Sequence, residues 1–111
     1  MSINEHVDVS ATCKAIKSLL DLMVESEREK QLHIFATIKT LCAGIRRKAK
    51  SENAWNAYTS EKMHELIWAC GEMAGIRKTQ GVMPPSPLAS TALDSMESSY
   101  LANKERASEI D

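Results

Sequence analysis

What most constrains this chain is where its helix breakers stand. Glycine occurs only at Gly44, Gly71, Gly75 and Gly81, and proline only at Pro84, Pro85 and Pro87, so the first eighty residues carry almost no punctuation. Long helices are the default in such a stretch. Thirteen alanines and eleven glutamates against four valines and five aromatic residues push the same way, because unbranched side chains lose little rotamer freedom in a helix. The expectation is an all-α protein. At 111 residues there is room for one domain, and with 43% hydrophobic and 26% charged residues it can bury a core.

No run of ten apolar residues occurs, and the first five residues lack the basic and apolar regions of a secretion signal. A cytoplasmic protein with reduced thiols and no membrane association is therefore expected. Charge is uneven along the chain. It is +3 up to Lys50, −1 from Ser51 to Gln80 and −3 beyond, for a net of −1. Neither half approaches the single-sign field of a dedicated nucleic-acid or membrane binder.

At about 100° per residue, Val9, Thr12, Cys13, Ile16, Leu19, Leu20 and Met23 share one helical stripe, with Lys14, Lys17, Ser18, Asp21 and Glu25 opposite. Ile34, Phe35, Ile38, Leu41, Cys42 and Ile45 form a second stripe. Glu25 to Gln31 between them is wholly polar, and Ser26 with Glu29 matches a capping box that would open a new helix. That spacing predicts a helical hairpin. Extending the first helix at constant pitch, however, brings Ile34, Ile38, Leu41 and Ile45 onto the stripe of Ile16 and Met23. The favoured reading is one long helix from Val9 to Lys48, with the hairpin as alternative. At 1.5 Å per residue it would span roughly 60 Å, too long for a compact monomer to cover, and so it predicts a homodimer.

The apolar pattern stops around Ala49 to Asn53, where Ser51 and Asn53 are candidate caps. A returning helix is predicted from Ala54 to Lys78, with Trp55, Met63, Leu66, Ile67, Cys70, Met73 and Ala74 on its core stripe. His64, Trp68, Gly71 and Gly75 line up with Ala57 on a second strip, and one buried face cannot hold both. Gly71 and Gly75 have the small-xxx-small spacing that allows close helix approach. These four residues are the candidate partner-binding surface; burial by the chain's own termini is the structural alternative. Residues 1–80 are read as the helical core domain, 81–90 as a proline-rich linker, and 91–111 as a short docking helix with a solvated tail. Thr91 is that helix's expected cap, and Leu93, Met96, Tyr100 and Leu101 its anchors.

Catalytic and metal motifs are missing. Cys13, Cys42 and Cys70 fall on core stripes, and there is no paired-cysteine or paired-histidine metal spacing, no Gly-rich phosphate loop and no recognisable nucleophile with a base. No metal, cofactor or small-molecule substrate is expected, nor enzymatic activity. One charge cluster stands out, with Lys39, Arg46, Arg47, Lys48 and Lys50 on or beside a ridge that could lie along a phosphate backbone or meet an acidic partner. Trp55 and Tyr58 follow it as candidate stacking aromatics. Cations near a helix C-terminus also complement its dipole without any ligand. The functional expectation is a small interaction module (adaptor, inhibitor or regulatory subunit) that occupies a surface on a protein partner, or pairs with itself. The alternative is a nucleic-acid-binding regulator using the basic ridge.

Overall fold

The computed structural model describes residues 7–78 and 84–110. They form four helices and no strand: α1 (Val9–Glu25), α2 (Arg28–Ser51), α3 (Ala57–Met73) and α4 (Pro85–Ile110). The all-α expectation holds.

The predicted single helix from Val9 to Lys48 does not form. Asp8 opens α1 by accepting from the Ala11 amide at 3.1 Å, and Val9, Cys13, Ile16, Leu20 and Met23 are buried as the first stripe requires. The chain then leaves the helix for two extended residues, Ser26 (φ −96°, ψ 156°) and Glu27 (φ −70°, ψ 161°). Ser26 is not the N-cap of a capping box. Its hydroxyl donates back to the Leu22 carbonyl at 2.6 Å, and the Gln31 side-chain amide donates to the Met23 carbonyl at 2.9 Å, so side chains take over carbonyls that the next helical turn would have used. Folding back lets the two stripes bury each other. Ile16, Met23, Ile38 and Ile45 are fully inaccessible, a gain that outweighs the local preference for continuing one helix. With the long helix goes the length argument for a dimer.

Ser51 and Asn53 are not the caps of the third helix either. Ser51 still belongs to α2, Asn53 turns the chain in the left-handed region (φ 57°), and Asn56 caps α3 by accepting from the Thr59 amide at 2.9 Å. At its far end α3 stops five residues short of Lys78. Gly75 sits at φ +76°, the Ile76 amide donates to the Gly71 carbonyl at 2.9 Å, and the Gly75 amide donates to the Glu72 carbonyl at 3.1 Å. This is the paired bonding of a Schellman terminus, and glycine supplies its left-handed residue. A Cβ on Gly75 would overlap the Arg28 guanidinium, which donates to the Met73 carbonyl at 3.4 Å. Gly75→Ala is therefore expected to lower stability by about 1–2 kcal/mol, read as a shifted urea midpoint at unchanged m-value.

α4 begins at Pro85, not at a Thr91 cap, and runs 26 residues. Pro85 and Pro87 occupy its first turn, where no backbone donor is needed, so they start a helix where their clustering had suggested extended chain. Gly81, Val82 and Met83 of the expected linker lie outside the described residues. Residues beyond Asn103, expected as a solvated tail, continue the helix to Ile110. The pairing of α4 with α3 is the most extensive in the molecule. Ala89, Ala92, Leu93, Met96 and Tyr100 are buried, and the small alanines let the two axes approach.

Consecutive helices run antiparallel, and Lys17 of α1 meets Asp94 of α4 at 3.3 Å, which closes the ring of four. One end of the bundle gathers the α1–α2 junction, the α3 terminus and the α4 start. The other gathers the α2 C-terminus, the Asn56 cap and the α4 C-terminus. The radius of gyration is 14.3 Å, close to the roughly 13 Å of a compact chain this long. No described helix is long and apolar enough to cross a membrane.

Candidate functional site: the groove between α3 and α4

Exposed apolar groups are concentrated at one end of the bundle. Of eight large hydrophobic side chains exposed among the described residues, Leu22, Val24, Leu32, Trp68, Ile76 and Leu88 lie toward the end of the α1–α2 junction, and only Tyr58 and Leu101 toward the other. Trp68 and Leu88 face a shared groove of about 350 Å³. Ala69 and Ala92 line it lower down, with His64, Glu65, Glu72, Thr91 and Ser95 along its length. Lys62 at one edge is paired with Glu65 at 2.9 Å.

The predicted strip is divided by the fold. His64 and Trp68 remain together one turn apart, their ring centroids separated by 6.4 Å, and Trp68 is 43% exposed. Gly71 is buried instead. A Cβ there would lie 3.0 Å from the Arg77 guanidinium and 3.7 Å from the Phe35 ring, so the bare backbone admits both side chains. Gly75 terminates the helix beside Arg28, as described above. Both glycines thus serve packing within the chain, and neither lines the groove. Arg77 covers part of Trp68, its guanidinium carbon 4.1 Å from the ring centroid, and its Nη1 is buried with no hydrogen-bond partner.

The α4 wall of the groove escaped the sequence reading. Leu88, Thr91 and Ser95 make an i, i+3, i+7 ridge, but Leu88 falls among prolines read as extended chain. Only a helix starting at Pro85 puts the three on one face.

The basic residues lie on α2. Lys39, Arg46, Arg47 and Lys50 are exposed and Lys48 is half-buried. Of the aromatics expected beside them, Trp55 is half-buried against the core, and Tyr58 has the Lys62 ammonium 5.3 Å from its ring centroid. Neither is a bare stacking platform.

Cys13, Cys42 and Cys70 are buried free thiols. Burial pushes all three up to about 12, so they stay protonated and inert at neutral pH. Among the described residues no group of three or more His, Cys, Asp or Glu side chains is placed to hold a metal ion.

Opposite the groove, a polar clasp ties α4 to the α2–α3 corner. The Tyr100 hydroxyl donates to Glu52 at 2.6 Å and the Lys104 ammonium approaches the same carboxylate at 3.3 Å. Burial pushes the Glu52 carboxyl up, but the bonds from Tyr100 and Lys104, with the charges of Lys104 and Lys48, outweigh it and leave the group below its usual value. A depressed folded value means stability that is present above the unfolded carboxylate value, about 4.3, and lost as pH falls through the folded one. Tyr100 is shifted upward by burial and by Glu52, so its share is present below about 10 and lost as pH rises beyond that. Tyr100→Phe is expected to flatten both limbs of a plot of thermal midpoint against pH; limbs matching wild type would show that the clasp contributes nothing.

In comparison with known proteins, no family matches the chain, and neither a curated protein nor a solved structure is significantly similar to it.

Proposed function

We infer that the protein is a non-enzymatic protein-interaction module that acts by occupying a surface on a protein partner, with the α3–α4 groove as its recognition surface. The carrying observation is that Trp68 and Leu88 are held open on facing helices, at the end where most exposed apolar side chains collect. Large exposed apolar groups around a concave site are what a partner's side chains bury, and tryptophan is enriched among residues that dominate binding energy. In this reading Trp68 is the anchor and His64 its neighbour along the rim. Gly71 and Gly75 act indirectly, by letting Arg77 and Arg28 pack against the end of α3.

The test is site-specific photocrosslinking in cells that make the protein, with the photoreactive group at position 88 or, as control, at exposed position 14. A discrete protein adduct is expected from 88, absent from 14 and lost on Trp68→Ala; an adduct of doubled mass identifies the partner as a second copy. Trp68→Ala itself should cost under about 1 kcal/mol of stability, because the indole is 43% exposed. If that substitution unfolds the protein, or if positions 88 and 14 give the same adducts, the groove is not a recognition surface.

A further inference from the structure

From Lys30 to Ser51 the chain carries six of its fourteen basic residues and none of its fifteen acidic ones, leaving eight bases against fifteen acids elsewhere. All of that stretch is α2, and the helix sorts it by angle. Ile34, Phe35, Ile38, Cys42, Ile45 and Ala49 are buried, while Lys39, Ala43, Arg46 and Lys50 form an exposed ridge with Arg47 beside it. Lys39 reaches over the Phe35 ring at 5.3 Å, and none of Lys39, Arg46, Arg47 or Lys50 has an ion-pair partner among the described residues. The helix ends at Ser51, so the dipole of its last turn accounts for Lys48 and Lys50. Lys39, Arg46 and Arg47 stand earlier and are not accounted for in that way.

The surface between these cations is low. Ala36, Thr40 and Ala43 are short, and the Thr40 hydroxyl is turned to its own helix, donating to the Ala36 carbonyl at 3.1 Å. Lys39 and Lys50 are eleven positions apart, roughly 16 Å along the helix, which matches the axial rise of about five nucleotides of a B-form strand. Charges are screened over about 10 Å at 0.1 M salt. Glu52, just past the end of α2, is held by Tyr100 and Lys104 and forms no ion pair with the ridge.

We propose that the outer face of α2 binds the phosphodiester backbone of double-stranded nucleic acid through Lys39, Arg46 and Lys50. This surface is separate from the α3–α4 groove and does not depend on it. Phosphate contacts carry no sequence information, so binding is sequence-independent.

The test is fluorescence anisotropy with a labelled mixed-sequence DNA duplex and the full chain, over a salt series. Three phosphate contacts give a log–log slope near −2.7, about a 40-fold loss of affinity between 50 and 200 mM salt. In the double variant R46Q/K50Q the slope should fall to about −0.9, a loss of only about 4-fold over the same range. Both positions are exposed, so circular dichroism of that variant should match wild type, and its thermal midpoint should fall by no more than about 5 °C, the share of Lys50 at the helix end. Trp68→Ala should bind duplex as wild type does. No binding at 50 mM salt overturns the proposal, as does an unchanged slope in the double variant or loss of duplex binding in Trp68→Ala. Phosphatidylserine vesicles and heparin serve as competing polyanions; equally tight binding to either also overturns the assignment to nucleic acid.

Discussion

Replacing Asn103 with alanine is expected to destabilise the protein by about 3 kcal/mol. Asn103 is 7% exposed and uses both ends of its amide. Its nitrogen donates to the Ala54 carbonyl at 3.1 Å and to the Thr59 hydroxyl at 3.0 Å, and its oxygen accepts from Asn56 at 3.1 Å and from Arg106. Thr59, itself fully buried, shares its hydroxyl with Asn56 at 2.8 Å and Ser99 at 2.6 Å. One side chain thus ties the α2–α3 corner, the cap of α3 and the last turns of α4 together. Alanine leaves buried or half-buried partners without replacements, and an unpaired buried group costs more than a hydrogen bond contributes. Thermal unfolding should shift downward by roughly 12–15 °C, the response of a chain this size to such a loss. Asn103→Asp, which keeps the acceptor but not the donor, should lose nearly as much. A shift under about 4 °C for the alanine variant would mean that the network is worth no more than one ordinary bond.

Leu66→Ala should cost as much or more, about 3–4 kcal/mol. Leu66 is wholly inaccessible on α3, which packs against all three other helices. Truncation removes buried apolar surface and leaves a cavity that the surrounding core fills only in part. A second effect separates this site from the rest of the core: loosening the α3–α4 pair moves Ala69 and Ala92, which line the groove. The 43%-exposed Trp68 should then report the change as altered emission in the folded state, below the unfolding transition. An Ile16→Ala variant, buried on α1, should destabilise comparably without that change. If both variants leave the emission alike, the groove is not coupled to α3–α4 packing.

How far the sequence could be read depended on which forces were local. The buried faces were legible, since Cys13, Ile16, Leu20, Met23, Ile38, Ile45, Met63, Leu66 and Cys70 repeat at helical spacing and all are buried. The break at Ser26 was visible as a polar interval but not decided by it. Constant-pitch extension kept the apolar stripe in phase, and only the packing of α1 on α2 chose between the two readings. Proline misled in the opposite direction. Pro84, Pro85 and Pro87 exclude a helix interior yet suit a first turn, and nothing local says which applies when a 26-residue partner face follows. At the groove, Trp68 and His64 could be picked out because the core stripe did not need them. Leu88 could not, because its face is defined only by where α4 begins. Gly71 and Gly75 carried a spacing signal whose cause, two arginines arriving from Arg28 and Arg77, is distant in one case and outside the helix in the other.

The Ser26–Glu27 junction sets what an exchange of helices between two copies of this chain would require. It is two residues long and contains neither glycine nor proline. Returning those two residues to helical dihedrals would fuse α1 and α2 into one rod from Val9 to Ser51, roughly 64 Å long. The rod would carry Ile16, Leu20 and Met23 away from their own bundle while preserving every surface they need in a neighbour. The closed monomer and a pair of chains that exchange their first helices would then share one set of core contacts and differ mainly at one short hinge, so protein concentration would weigh directly on the balance between them.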